Sequence, residues 1–176
     1  MLKNPNKDLI FDTNDLKTIY LAGGCFWGVD AYLKRVAGVY STESGYANGD
    51  TKNPTYEQVC KENTGHVEAV QVVYDTTKLS LEGLLEEFFD IIDPTVLNRQ
   101  AGDVGTQYRT GIYYTDTAEK EAIKIFVQNK QNFYEEPIVT EILPLENYYK
   151  AEEYHQDYLE KNPDGYCHVD LSKYKT

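Results

Sequence analysis

The chain predicts an α+β protein, a sandwich of helices on one mixed β-sheet, and three observations carry that reading. Gly65 to Tyr74 reads as the strongest strand, and the two-residue period puts Glu68, Val70, Val72 and Tyr74 on one face. Leu81, Leu84, Leu85, Phe88, Phe89 and Ile92 recur at the spacing of one helix face, a core-facing stripe. The elements follow in the order strand, helix, strand, strand, helix, strand, helix, strand, without the regular βαβ alternation of a parallel sheet. With 176 residues, 41% of them hydrophobic, the chain suits one compact domain.

In order, residues 1–17 are polar and without period, an extension that wraps or frays. Lys17 to Ala22 is short and β-prone and ends in glycines, a strand leading to Cys25; a helix over about Trp27 to Val36 follows, stopped by Gly38. A strand over Val39 to Tyr46 closes in the turn-forming Ala47-Asn48-Gly49-Asp50, and a short helix is expected over Thr55 to Lys61. Ser80 can cap the leucine-rich helix, which Asp93-Pro94 ends. Thr95 to Tyr108 is irregular and, being long, a place to look for function. A strand over Arg109 to Tyr114 comes next, and Asp116 with Glu119 resembles a capping box for a helix reaching about Asn132. Val139 to Leu143 is the last strand expected, then a helix over Ala151 to Lys161, the turn Asn162-Pro163-Asp164-Gly165 and an unpatterned tail.

A net charge of −12 repels phosphate backbones and anionic lipid surfaces, so neither nucleic acid nor a membrane is expected as partner. Met1 to Tyr20 lacks an apolar leader segment and no long apolar run follows, which points to a soluble, cytoplasmic protein. Three scattered cysteines, Cys25, Cys60 and Cys167, give neither a disulfide scaffold nor a Cys-x-x-Cys pair, so no metal or cofactor is expected.

The chemistry centres on Gly23-Gly24-Cys25-Phe26-Trp27-Gly28. A lone cysteine is more often a small buried hydrophobe than a nucleophile. Here the glycines let the backbone turn sharply and a ligand come close, and the mouth of a helix favours a thiolate. Against that, no lysine or arginine lies within eight residues after Cys25 and the chain is acidic, so only mild thiolate stabilisation is expected.

Gly-Cys-Phe-Trp-Gly at 24–28, Gly-His-Val-Glu at 65–68 and Gly-Thr-Gln-Tyr-Arg at 105–109, in that order, closely resemble the signatures of the type A peptide methionine sulfoxide reductases. Ser44-Gly45-Tyr46 and Tyr154-His155-Gln156-Asp157-Tyr158-Leu159 are similar to further segments of that family. The resemblance runs from about residue 18 to 171. It implies a ferredoxin-like two-layer sandwich with a long irregular C-terminal tail, and a thioredoxin-recycled reductase of the S epimer of methionine sulfoxide, a monomer. By the same resemblance Cys25 is the nucleophile, Phe26 and Trp27 receive the substrate methyl group, and Glu68 protonates the sulfoxide oxygen. Tyr46, Tyr108 and Asp103 orient substrate and water, Cys167 resolves the oxidised nucleophile, and Cys60 is a packing residue. With one tail cysteine, a relay through a second tail disulfide is excluded. Residues 18–176 then form a single catalytic domain, its tail, 162–176, carrying the resolving cysteine.

The residues support this chemistry on their own terms. A sulfoxide sulfur is a poor electrophile until its oxygen gains a proton, so thiol attack needs an acid on the oxygen side. Glu68 on an apolar strand face is the acid whose pKa burial would raise, and a nearby Asp103 would push the same way. A cysteine protease would need an oriented histidine from His66, His155 or His168, and no papain-like signature accompanies Cys25. A binding module using the aromatic pocket would bind without consuming thiol.

Overall fold

The protein is described by a computed structural model over residues 2–175. Eight strands and five α-helices follow in chain order: β1 (Leu16–Gly23), α1 (Phe26–Leu33), β2 (Val39–Ala47), α2 (Tyr56–Lys61), β3 (Val67–Asp75), α3 (Leu81–Phe89), β4 (Arg99–Gln100), β5 (Asp103–Val104), β6 (Thr110–Tyr114), α4 (Glu119–Lys130), β7 (Glu141–Pro144), β8 (Tyr148–Lys150) and α5 (Tyr158–Lys161).

Six of the strands form one mixed sheet in the order β7-β6-β1-β3-β2-β8, with β6 and β7 parallel and the other pairs antiparallel. The expected α+β class with helices on a mixed sheet is thus what the chain adopts. The leucine stripe of α3 does what its period predicts: Leu84, Leu85 and Phe88 are fully buried. They join Ile19 and Leu21 of β1, Val70 and Val72 of β3, and Val29 and Leu33 of α1 in the main core. The opposite sheet face buries a smaller cluster, Tyr20, Ala22, Ala47, Val67, Ala69 and Tyr113. Strand β3 therefore has both faces covered, and Glu68, at its start, lies inside rather than at a wet edge.

Three expectations are corrected. No helix spans Ala151 to Lys161. Ala151 donates its N–H to the Ser44 carbonyl, and the Gln156 amide bonds both the N–H and the C=O of Ser44, so this segment is drawn onto the edge of β2. Asp157 takes a left-handed backbone (φ 53), which leaves only the four-residue α5. Strand β8 was too short to signal itself. The irregular stretch 95–108 holds the small β4–β5 hairpin. Asp116 accepts the N–H of Ala118 at 2.9 Å and no capping box forms.

Residues 2–15 wrap the body of the protein: a 3-10 turn over Pro5–Asp8 lies beside the end of α1, and Phe11 packs edge-on against Tyr40 at 5.4 Å. Among the described residues no helix is long and apolar enough to cross a membrane.

Candidate active site

Strand β1 runs through the middle of the sheet and delivers Gly24 and Cys25 to the N-terminus of α1. Gly24 has φ +90, and a Cβ there would lie 2.7 Å from Gln100 Cβ, so both the backbone turn and the crowding call for glycine. Gln100 is fixed by exchanging hydrogen bonds with the N–H and C=O of Asp93, which ties the irregular segment to the cysteine loop.

Cys25 is the N-cap of α1 and is 7% exposed. The nearby backbone N–H of Trp27 in the first turn favours the thiolate. Burial is the larger influence, and the Glu68 charge adds to it, so the thiol pKa is pushed well up. The expectation of mild thiolate stabilisation is therefore corrected: in the free protein Cys25 is a protonated thiol at neutral pH.

Glu68 pairs across the sheet with Tyr46 of β2 and is 1% exposed. Its Oε1 accepts the N–H of Phe26 at 3.1 Å, while Oε2 has no hydrogen-bond partner. Burial raises the carboxyl pKa to about 8; the Phe26 N–H opposes that, and the Asp103 charge reinforces it. A buried carboxyl with one free oxygen beside a buried thiol keeps two protons at the site at neutral pH, one on each group.

The aromatic walls come from α1 and from the segment drawn onto β2. Phe26 is buried against Tyr46 and His155, with ring centroids at 5.8 and 5.1 Å. Trp27 stacks on Tyr158 at 3.8 Å, nearly parallel, and donates its indole N–H to His155 Nδ1 at 2.9 Å. Accepting that bond fixes the neutral tautomer of His155, consistent with a pKa lowered by burial. Tyr46 gives its phenol proton to Glu152 at 2.8 Å, and the other Glu152 oxygen accepts the N–H of Tyr56 at 2.9 Å. Burial and the Glu68 charge raise the pKa of Tyr108 and of Tyr56, so both hydroxyls keep their protons as donors. Asp103 accepts the hydroxyl proton of Tyr166, a tail residue, at 2.9 Å.

Cys167 is half-buried and unpaired, its thiol donating to the Val169 carbonyl at 3.2 Å. It lies against α1: a Cβ on Gly28, one helical turn beyond Cys25, would stand 3.0 Å from its sulfur. Cys60 is a half-buried thiol on α2, beside the Tyr56 side chain. The adjacent tail residue His168 sets Nε2 3.0 Å from the Gly23 carbonyl, which closes the tail over the cysteine loop. His66 contacts the Thr51 carbonyl instead.

The structure thus gathers Cys25, Phe26, Trp27, Tyr46, Glu68, Tyr108, Asp103 and Cys167 around one end of α1. Sequence reasoning gave no role to Tyr56, Glu152 or Tyr158, and read His155 as a structural histidine rather than a proton shuttle. Three of these fall in or beside the 154–159 segment, whose expected helix hid the strand-edge geometry. One acidic cluster elsewhere, Asp30 with Asp157 and Glu160, has the spacing of metal ligands, but Lys34 sits among them, its ammonium 2.9 Å from Asp30.

A buried thiol next to a carboxylic acid that keeps its proton at neutral pH suits a thiol attack coupled to protonation of an oxygen, the arrangement of a thiol oxidoreductase. The family pattern described as peptide methionine sulfoxide reductase matches residues 17–176, and the chain belongs to that family. It is 59% identical over 156 residues to the peptide methionine sulfoxide reductase MsrA of Clostridium perfringens (strain 13 / Type A), covering 89% of this chain and 99% of that one. Its fold is similar to that of Mxr1 from Saccharomyces cerevisiae in reduced form, with TM-score 0.86, 36% identity, and 94% and 97% of the two chains covered. It is also similar to Mxr1 solved in complex with Trx2, with TM-score 0.60, 26% identity, and 86% and 91% covered.

Proposed function

We propose that this methionine sulfoxide reductase acts on the S epimer, free or in proteins, with Cys25 as nucleophile, Glu68 as general acid and Cys167 as resolving thiol. The substrate methyl group sits against Phe26 and Trp27, and the oxygen faces Glu68 with the hydroxyls of Tyr108 and Tyr56 close by. Cys25 sulfur attacks the substrate sulfur as Glu68 gives its proton to the oxygen, and the thiol proton of Cys25 restores the carboxyl. The hydroxyl then passes from the substrate sulfur to Cys25 sulfur: the substrate S–O bond and the new sulfur–sulfur bond break as a Cys25 S–O bond forms, so methionine leaves and Cys25 is left as sulfenic acid, oxidised by two electrons while the substrate is reduced by two. Cys167 attacks that sulfur, giving the Cys25–Cys167 disulfide and water, and an external dithiol reduces the disulfide by thiol exchange. The Mxr1 complex with Trx2 supports thioredoxin as that reductant. Asp103 keeps the site acidic and, through Tyr166, holds the tail near. In this reading residues 18–176 are one catalytic domain, with the tail at 162–176, working as a soluble cytoplasmic monomer in repair of oxidised proteins.

The observation that carries the proposal is the Glu68 carboxyl, buried with one bare oxygen and bonded to the residue that follows Cys25. Supplying peptides bearing each sulfoxide epimer with a dithiol reductant tests it. Methionine should form from the S epimer alone, and equal rates on both would overturn the assignment of substrate.

A further inference from the structure

The family match begins at residue 17, yet residues 2–15 touch both ends of the proposed redox machinery. Asn6 uses its whole amide on the turn that ends α1: its N–H groups donate to the Lys34 and Val36 carbonyls, both at 2.9 Å, and its oxygen accepts the Gly38 N–H at 2.8 Å. Four residues earlier, Leu2 forms a β-bridge with Lys175, and the Lys3 N–H donates to the Tyr174 carbonyl at 2.8 Å. Leu2, Asn4 and Lys7 line a groove shared with Cys167, Val169 and Leu171. The same short segment therefore grips the helix that starts at Cys25 and the tail that carries Cys167.

We propose that Leu2–Asn6 is a positioning clasp for the resolving cysteine, an inference that rests on the reading of Cys167 given above. The tail leaves α5 at Lys161 and is held again past Cys167, where Val169 and Tyr174 are buried. With both ends fixed, the Cys167 thiol samples a small volume over α1; with the far end loosened, the same thiol is diluted over a larger one. Resolution joins Cys25 sulfur to Cys167 sulfur, breaks the S–O bond of the sulfenic acid and releases its oxygen as water with the thiol proton, drawing on no outside reductant. The rate of that step follows how often the two sulfurs meet. The clasp accelerates it and leaves the earlier attack on sulfoxide alone.

One equivalent of a methionine S-sulfoxide dipeptide, added without reductant, separates the two steps: methionine release reports the first, loss of the second thiol reports the other. Lys3→Pro removes the N–H that reaches Tyr174, and Asn6→Ala releases the α1 turn. In this double variant, and in a chain lacking residues 2–15, methionine release should stay within about twofold of the parent. Disulfide formation should slow by roughly three- to tenfold, with a dimedone-trappable Cys25 sulfenic acid that lives correspondingly longer. A general loss of stability would lower the melting temperature without separating these two rates. Resolution as fast as, or faster than, the parent in the double variant overturns the clasp, and that variant decides if the shortened chain does not fold. A parent chain that releases methionine but never forms the Cys25–Cys167 disulfide overturns the reading of Cys167 itself.

Discussion

Glu68 Oε1 accepts the backbone N–H of Phe26 at 3.1 Å, so the buried carboxyl of β3 is tied to the residue that follows Cys25. The bond holds the acid and Cys25 in one frame although they are far apart in sequence, and it leaves Oε2 as the one atom free to reach a ligand.

The pH dependence of the reductive step follows. With the Glu68 pKa raised to about 8, chiefly by burial, the acid form is present through the neutral range and is lost above it. Single-turnover kcat/KM should be flat from pH 6 to 7.5 and then fall about tenfold per pH unit. A profile still rising through pH 9 would give the proton to another group. Glu68→Gln should lower the rate at pH 7 by about 10² to 10⁴.

Stability carries the same signature. The unfolded Glu68 carboxyl releases its proton near pH 4.5 and the folded one near 8, so within that window the folded state binds more protons. Stability from this group is full below the window and lost as pH rises through it, at about 1.4 kcal/mol per pH unit at most. Glu68→Gln stays neutral throughout. Its melting temperature should match the parent near pH 5 and exceed it near pH 8.5, and a constant difference across that range would contradict the buried-acid assignment.

Cys25 should be a slow thiol in the resting protein, because burial and then the Glu68 charge hold it protonated. In a chain carrying Cys60→Ser and Cys167→Ser, alkylation by iodoacetamide should keep climbing with pH beyond 9. A plateau reached below pH 7 would mean that the helix N-terminus outweighs burial.

The stack of Tyr158 on Trp27 should fix the indole wall of the methyl pocket. Such pairs are worth about 0.5–1.5 kcal/mol, so Tyr158→Ala should raise KM some two- to tenfold with little change in single-turnover kcat. An unchanged KM would show that His155 alone holds the ring.

Much of this was legible in the residues. The stripe of α3 and the two-residue period of β3 needed no context, and Gly24-Cys25 before a helix put the thiol at the mouth of α1, because local geometry decides each. The 148–158 region was opaque for the opposite reason: Gln156 leaves the helical pattern only because the Ser44 backbone, far back in the chain, offers it both a donor and an acceptor. Glu152 likewise acts through Tyr46 and the Tyr56 N–H, partners that no spacing within its own segment reveals. The thiol pKa was misjudged because sequence displays the charges near Cys25 but not its depth of burial.

The most direct measurement is a thiol count after one turnover. The chain has three thiols. Given excess methionine S-sulfoxide peptide and no reductant, the parent should release about one methionine per chain, the single turnover that one sulfenic acid allows. Its one surviving thiol should map to Cys60, with Cys25 and Cys167 joined in a disulfide. Cys25→Ser should release none. Methionine release by Cys25→Ser at even a tenth of the parent rate, or a disulfide that joins Cys25 to Cys60 while Cys167 stays free, would contradict the account.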